Sequence, residues 1–206
     1  MMELFYGKMS GNSSRAVFGL NEIGAPYDAR LVDTTTGENK SADYLALNPM
    51  GKIPALRDGD VSLWESNAIN FHAAEKHAPK LLGTNRAAVL RWLFFQSAHV
   101  SPACIPIFRL TNAKVKAFWK TEGDAQAAAA AQKELPRYLA VLEAALQKSD
   151  WLEGDFTLAD IAYASHFHLI KDGGYDFSSY PKLSGWLDRL LTRPAWLAAR
   201  KTVVGS

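Results

Sequence analysis

Residues 48–69 read NPMGKIPALRDGDVSLWESNAI, and this stretch decides the fold. Asp58-Gly59 stands between two short apolar runs, and glycine tolerates positive φ, so the pair signals a tight hairpin turn. The first strand is expected over 53–57 and opens on Pro54. A proline at a strand's first position gives up no ladder bond needed later, and an X-Pro bond is where a cis peptide belongs. The second strand is expected over 62–64. The chain then reads Glu65-Ser66-Asn67 and turns apolar at helical spacing. Ser66 reads as the N-cap, and the free N–H groups behind it form a seat for a carboxylate. The stretch describes a place to hold a small anion.

Upstream, residues 3–6 read as a short strand, residues 7–12 as a loop, and a helix is expected from near Ser13. Ala16, Leu20 and Ile23 recur at helical spacing, and Gly24-Ala25-Pro26 supplies a stop. Residues 27–32, YDARLV, alternate as a strand. A polar segment over 33–40 leads to a short amphipathic stretch around Tyr44, and the hairpin is followed by a helix over about 67–77. The order β-α-β then β-β-α makes a small mixed sheet with helices on its faces.

Downstream of residue 85 no strand is expected. Residues 87–110 carry a helical pattern kinked by Pro102 and Pro106. Residues 124–147 are alanine-rich and then amphipathic through Leu135, Leu139, Leu142 and Leu146, and alanine is the strongest helix former. Thr157 and Asp160 make a capping box, and the helix behind them is apolar nearly all round, which marks a buried central element. Further helices are expected from Tyr180 and from Arg193. The fold class is therefore α/β plus all-α, with a first domain over 1–79 and a helical second domain over 85–206.

Composition narrows the function. In 206 residues, 48% apolar and 11% aromatic content are ample for a packed core, and a formal charge of +2 gives no nucleic-acid surface. No apolar run approaches the ~20 residues that span a bilayer, and no secretory signal is visible, so no membrane partner is expected. One cysteine, Cys104, permits no internal disulfide and suits a reducing cytoplasm. The five histidines form no metal-ligand pattern: His166 and His168 point to different sides of a helix, and His72 and His77 are five apart. The lysines at 114, 116 and 120 read as a solvated face.

The chain resembles the cytosolic glutathione S-transferases over essentially its whole length. The resemblance rests on NPMGKIPAL at 48–56, the Glu65-Ser66 pair, FTLADI at 156–161 and YPKL with Trp186 near the end. The loop Ser10-Gly11-Asn12-Ser13-Ser14-Arg15 looks like the S-x-x-S-x-R loop of serine-type classes, and the hairpin is nearest the phi-, zeta- or theta-like plant and bacterial branches. This implies a thioredoxin-like βαβ-ββα glutathione-binding domain, an all-helical domain supplying the electrophile pocket, and a homodimer. It implies a detoxifying transferase that uses glutathione as co-substrate and no metal.

Glutathione presents a thiol, two carboxylates and an ammonium. A free thiol titrates near ~8.5, so an enzyme gains rate by stabilising the thiolate with a hydroxyl and a helix N-terminus. By resemblance Ser10 donates to the sulfur, with Ser13 the competing hydroxyl and the competing cap. Lys52, Lys40 and Asn39 are the residues for the glycine carboxylate. Ile53, before a cis Pro54, offers its backbone to the cysteinyl part, and Glu65 and Ser66 take the γ-glutamyl end. Arg15 is expected to brace the loop. Met9 and Phe108 are candidates for the electrophile pocket. A thioredoxin-type mechanism is excluded by the lack of Cys-x-x-Cys at 10–13. Glutathione-dependent disulfide reductase, peroxidase or dehalogenase-like chemistry, and a non-catalytic ligand-binding or interaction module, stay open.

Overall fold

A computed structural model describes residues 1–205. They fall into two units, residues 1–82 with the segment from Pro194 onward, and residues 83–193.

In the first unit, β1 (Met2–Tyr6) buries Met2, Leu4 and Tyr6 and leaves Glu3 and Phe5 half-buried, the period of a pleated strand. It leads to α1 (Gly11–Ile23), which closes on Gly24 at φ 71. β2 (Tyr27–Leu31) runs parallel to β1, with Met2 opposite Tyr27. After α2 (Ala42–Leu47), β3 (Ala55–Asp58) and β4 (Val61–Trp64) form the antiparallel hairpin, and α3 (Ser66–His77) follows. The strand order is β2-β1-β3-β4. Gly59 sits in the turn at φ 59, the conformation its lack of Cβ makes cheap.

Three boundaries differ from expectation. β3 begins at Ala55, not Ile53, because the ladder to β1 ends with Phe5 opposite Ala55 and Pro54 has no N–H to extend it. α1 begins at Gly11, not near Ser13, because Ser10 Oγ accepts the Ser13 N–H at 3.1 Å and so takes the cap. Ser66 is not the cap of α3 but its first helical residue; Glu65 holds the cap position at φ 69 with no side-chain cap bond.

The second unit contains α4 (Arg86–Phe95), α5 (Ser101–Thr111), α6 (Ala113–Trp119), α7 (Ala125–Leu146), α8 (Leu158–Asp172) and α9 (Pro181–Leu191). α8 is buried continuously from Leu158 to His168, the central helix its composition implies. Between α4 and α5 the helix widens into a π turn over Gln96–Val100. Pro102 explains it, since a proline ring cannot fit against the carbonyl four residues back and donates no bond. Pro106 lies inside α5 without ending it. The lysine-rich segment carries α6, a short helix absent from the sequence reading, capped by Asn112, whose side chain accepts from Lys114 and Val115 N–H.

The last helix, α10 (Pro194–Val203), belongs to the first unit, so the expected second domain of 85–206 is shortened to end at Arg193. Its amphipathic face explains the placement: Trp196, Ala199 and Val203 are buried, Trp196 meets Phe18 of α1 edge-on at 5.5 Å, and Asn21 Nδ2 donates to Ala195 O at 3.2 Å. Ser206, the final residue of that expected domain, lies outside the described residues. Among the described residues no helix is long and apolar enough to cross a membrane.

Candidate active site

Ser10 sits between β1 and α1, half-buried, at the N-terminus of a 13-residue helix. Its Oγ accepts the Ser13 N–H, which uses a lone pair and leaves the hydroxyl proton to donate elsewhere. Ser13 is different. Its side chain is fully buried, and its Oγ accepts the Gly7 N–H at 3.1 Å, so it ties the loop from inside. Met9, beside Ser10, is half-buried and takes φ 53.

The segment before β3 is pinned from several directions. The Ile53-Pro54 bond is cis. Tyr44 OH donates to Lys52 O at 2.7 Å, and Asn48 Nδ2 to the same oxygen at 2.6 Å. Burial raises the Tyr44 pKa above the usual phenol range, so the hydroxyl stays a donor. Asn39 Nδ2 and Lys40 Nζ both donate to Gly51 O, at 2.7 and 3.1 Å. Both candidates are thus engaged with the loop itself. Lys52 is exposed and makes no ion pair or side-chain hydrogen bond with a described residue, which leaves its ammonium open to a ligand. Ile53 lies beyond the end of the ladder and packs against Gly7, where an added Cβ would fall 2.0 Å from Ile53 Cδ1.

Glu65 and Ser66 form the third corner. Ser66 is buried, and its Oγ accepts from Arg15 at 2.9 Å. The same guanidinium nitrogen donates to Asn12 Oδ1 at 2.8 Å, so Arg15 braces the start of α1 against the start of α3. Asn70 Nδ2 adds a bond to Arg15 O at 3.0 Å. Glu65 is exposed, carries no ion pair with a described residue, and holds a backbone conformation that residues with a Cβ rarely adopt. Such a conformation costs about 1–3 kcal/mol and persists where surroundings over-determine it, characteristically at ligand sites. Glu65→Gly is therefore expected to raise stability by about 1 kcal/mol while weakening glutathione binding about tenfold or more. Thermal melts and calorimetric titration measure the two arms, and a variant that melts lower would remove the strain argument.

The first unit thus joins its candidates through three contacts: Gly7 to Ile53, Arg15 to Ser66, and Asn39 and Lys40 to the carbonyl before Lys52. Phe108 belongs to the second unit, where it is buried with its ring 5.6 Å from that of His166. Sequence reasoning missed the roles of Tyr44 and Asn48, and the asparagine of NPMGK was the visible signal for one of them.

At these three corners the groups without a side-chain partner among the described residues are the Lys52 ammonium and the Glu65 carboxylate, beside a strand end at Ile53 and the Ser10 hydroxyl at a helix N-terminus, a set suited to a small zwitterionic peptide bearing a thiol. Comparison with known proteins agrees. Residues 1–75 match the family model for the glutathione S-transferase N-terminal domain, and residues 97–194 match that for the C-terminal domain. The chain is 34% identical to glutathione S-transferase F10 of Arabidopsis thaliana, over 95% of each protein. The chain belongs to the glutathione S-transferase family. It is also 33% identical to glutathione S-transferase GstB of Escherichia coli K12, over 99% of this chain and 98% of that one. The solved structure of maize glutathione S-transferase I with an atrazine–glutathione conjugate superposes with a TM-score of 0.85 at 31% identity, covering 96% of this chain and 95% of that one. By fold and by class of activity it is a glutathione transferase.

Proposed function

We propose that the chain binds glutathione in its first unit and stabilises the thiolate with Ser10 for attack on small hydrophobic electrophiles. The observation that carries this is the Ser10 hydroxyl: its lone pair caps α1, its proton is free, and the aligned N–H groups of that helix favour negative charge beside it. Lys52 takes the glycine carboxylate. Asn39 and Lys40 shape that end through Gly51 O. Ile53, ahead of Pro54, pairs with the cysteinyl backbone, and Glu65 and Ser66 receive the γ-glutamyl ammonium and carboxylate. Met9 supplies apolar surface next to the sulfur, and Phe108 is the helical unit's candidate for the electrophile.

The maize structure holds an atrazine–glutathione conjugate, and displacement or addition at an electrophilic carbon is the reaction assigned here, in a detoxifying role. A second copy of the chain is the expected partner. Trp64 and Val61 in the first unit and Phe94 and Val141 in the second are exposed large apolar side chains, the kind that an interface covers. The lone buried Cys104 suits a cytoplasmic enzyme. A calorimetric titration with glutathione, followed by conjugation assays with a chlorinated aromatic, tests the reading. Absence of binding at millimolar glutathione would overturn it.

A further inference from the structure

The loop that delivers Ser10 is held by the end of α10. Lys8 Nζ donates to Thr202 O at 2.8 Å, and Met9 N–H donates to Val203 O at 3.2 Å. α10 itself is fixed on α1 by the Trp196–Phe18 ring contact and the Asn21–Ala195 hydrogen bond. Between these anchors Met9 adopts φ 53. A side-chain-bearing residue does not rest there by its own preference, so the turn keeps its shape because its surroundings impose it. The bonds to 202 and 203 fall on the two residues that immediately precede Ser10.

We infer that the carbonyls of Thr202 and Val203 position the catalytic serine: they hold the left-handed turn at Lys8-Met9 and so set where the Ser10 hydroxyl presents its proton. They touch no substrate and act through the loop. The inference rests on Ser10 being the thiolate donor. The competing account is that Lys8 only caps α10, since a cation near the last carbonyls of a helix is favourable. In that case the chemistry is indifferent to the contact.

Two variants separate the accounts: the chain shortened after Arg200, which lacks both acceptors, and full-length Lys8→Met, which loses one donor. The measurements are the pKa of the bound glutathione thiol, read by thiolate absorbance, and kcat/KM against pH. Both variants are expected to raise the bound-thiol pKa, with kcat/KM about tenfold lower at acidic pH and recovering above the new pKa, because misplacing a catalytic group by an ångström costs this much or more. Combined with Ser10→Ala, neither change is expected to raise the pKa further. A uniform loss at every pH with an unchanged thiol pKa would overturn the inference while leaving Ser10 in its role. If Ser10→Ala itself leaves the pKa unchanged, the reading of Ser10 fails first and the positioning role fails with it. Should the shortened chain not fold, Lys8→Met decides alone, and no pKa shift in it overturns the proposal.

Discussion

Ser10→Ala is expected to raise the pKa of glutathione's bound thiol by about 1–2 units. A hydrogen bond to a charged group is worth about 1.5–3 kcal/mol net, and each pKa unit corresponds to about 1.36 kcal/mol. At pH below both values the thiolate fraction would fall about 10- to 100-fold, and kcat/KM with it, with recovery above the new pKa. Glutathione affinity is expected to change little, because the contacts proposed for the ligand's carboxylates and ammonium lie elsewhere, at Lys52, Glu65 and Ser66. The substitution also removes the cap of α1, since Ser10 Oγ accepts the Ser13 N–H, and losing a cap costs about 1 kcal/mol of stability. Ser10→Gly separates the two effects. Glycine at an N-cap costs only a few tenths of a kcal/mol relative to serine, so this variant stays folded and still lacks the donor. Thiolate absorbance against pH, in both variants, checks the result. An unchanged pKa in both would show that the helix N-terminus suffices without the hydroxyl.

That serine illustrates what local sequence can and cannot specify. Ser10 and Ser13 are both competent caps three residues apart, and the sequence alone does not rank them. The decision comes from Gly7, whose N–H needs a buried partner and finds Ser13 Oγ. The hairpin was legible because Gly59 announces a tight turn, although the turn is Gly59-Asp60 and not Asp58-Gly59, since Asp58 still pairs with Val61; the box at Thr157 was legible because cap and partner lie within one turn. Glu65 gave no warning of its φ of 69, since positive φ is announced by glycine or asparagine and not by glutamate. Arg15 was legible as a brace but not in its partner, because Ser66 lies 51 residues away. The amphipathic pattern of α10 identifies a helix but not its neighbour: a face of Trp196, Ala199 and Val203 would suit either unit, and the contacts with Phe18 and Asn21 settle it. The π turn is intermediate. Pro102 marked a disturbance in the helix, while its form depends on how the flanking turns pack.

Asp160→Ala is expected to be the most destabilising single change in the helical unit. The carboxylate is buried and accepts from Leu152 N–H at 3.0 Å, Thr157 N–H at 2.9 Å and Trp186 Nε1–H at 2.9 Å. Truncation leaves three buried donors without an acceptor, each costing about 1–3 kcal/mol, against a total stability on the order of 5–15 kcal/mol. A loss of about 4 kcal/mol or more is anticipated, read by urea unfolding. Asp160→Asn should cost less. The Oδ1 position, which serves Leu152 and Trp186, can be kept as an amide oxygen, while the amide nitrogen then faces the Thr157 N–H. The asparagine variant also reports on charge. Burial pushes the Asp160 pKa up to about 6, and its hydrogen bonds to Leu152, Thr157 and Trp186 oppose that rise without cancelling it. A carboxyl whose folded pKa lies above its unfolded value near ~3.9 stabilises the fold fully below that value and loses the contribution as pH rises through the folded pKa. Asparagine has no such titration. The penalty of Asp160→Asn should therefore shrink between pH 4 and pH 7. A penalty that grows over that range would mean the three N–H donors outweigh burial, with the carboxylate held ionised in the folded chain well below pH 6.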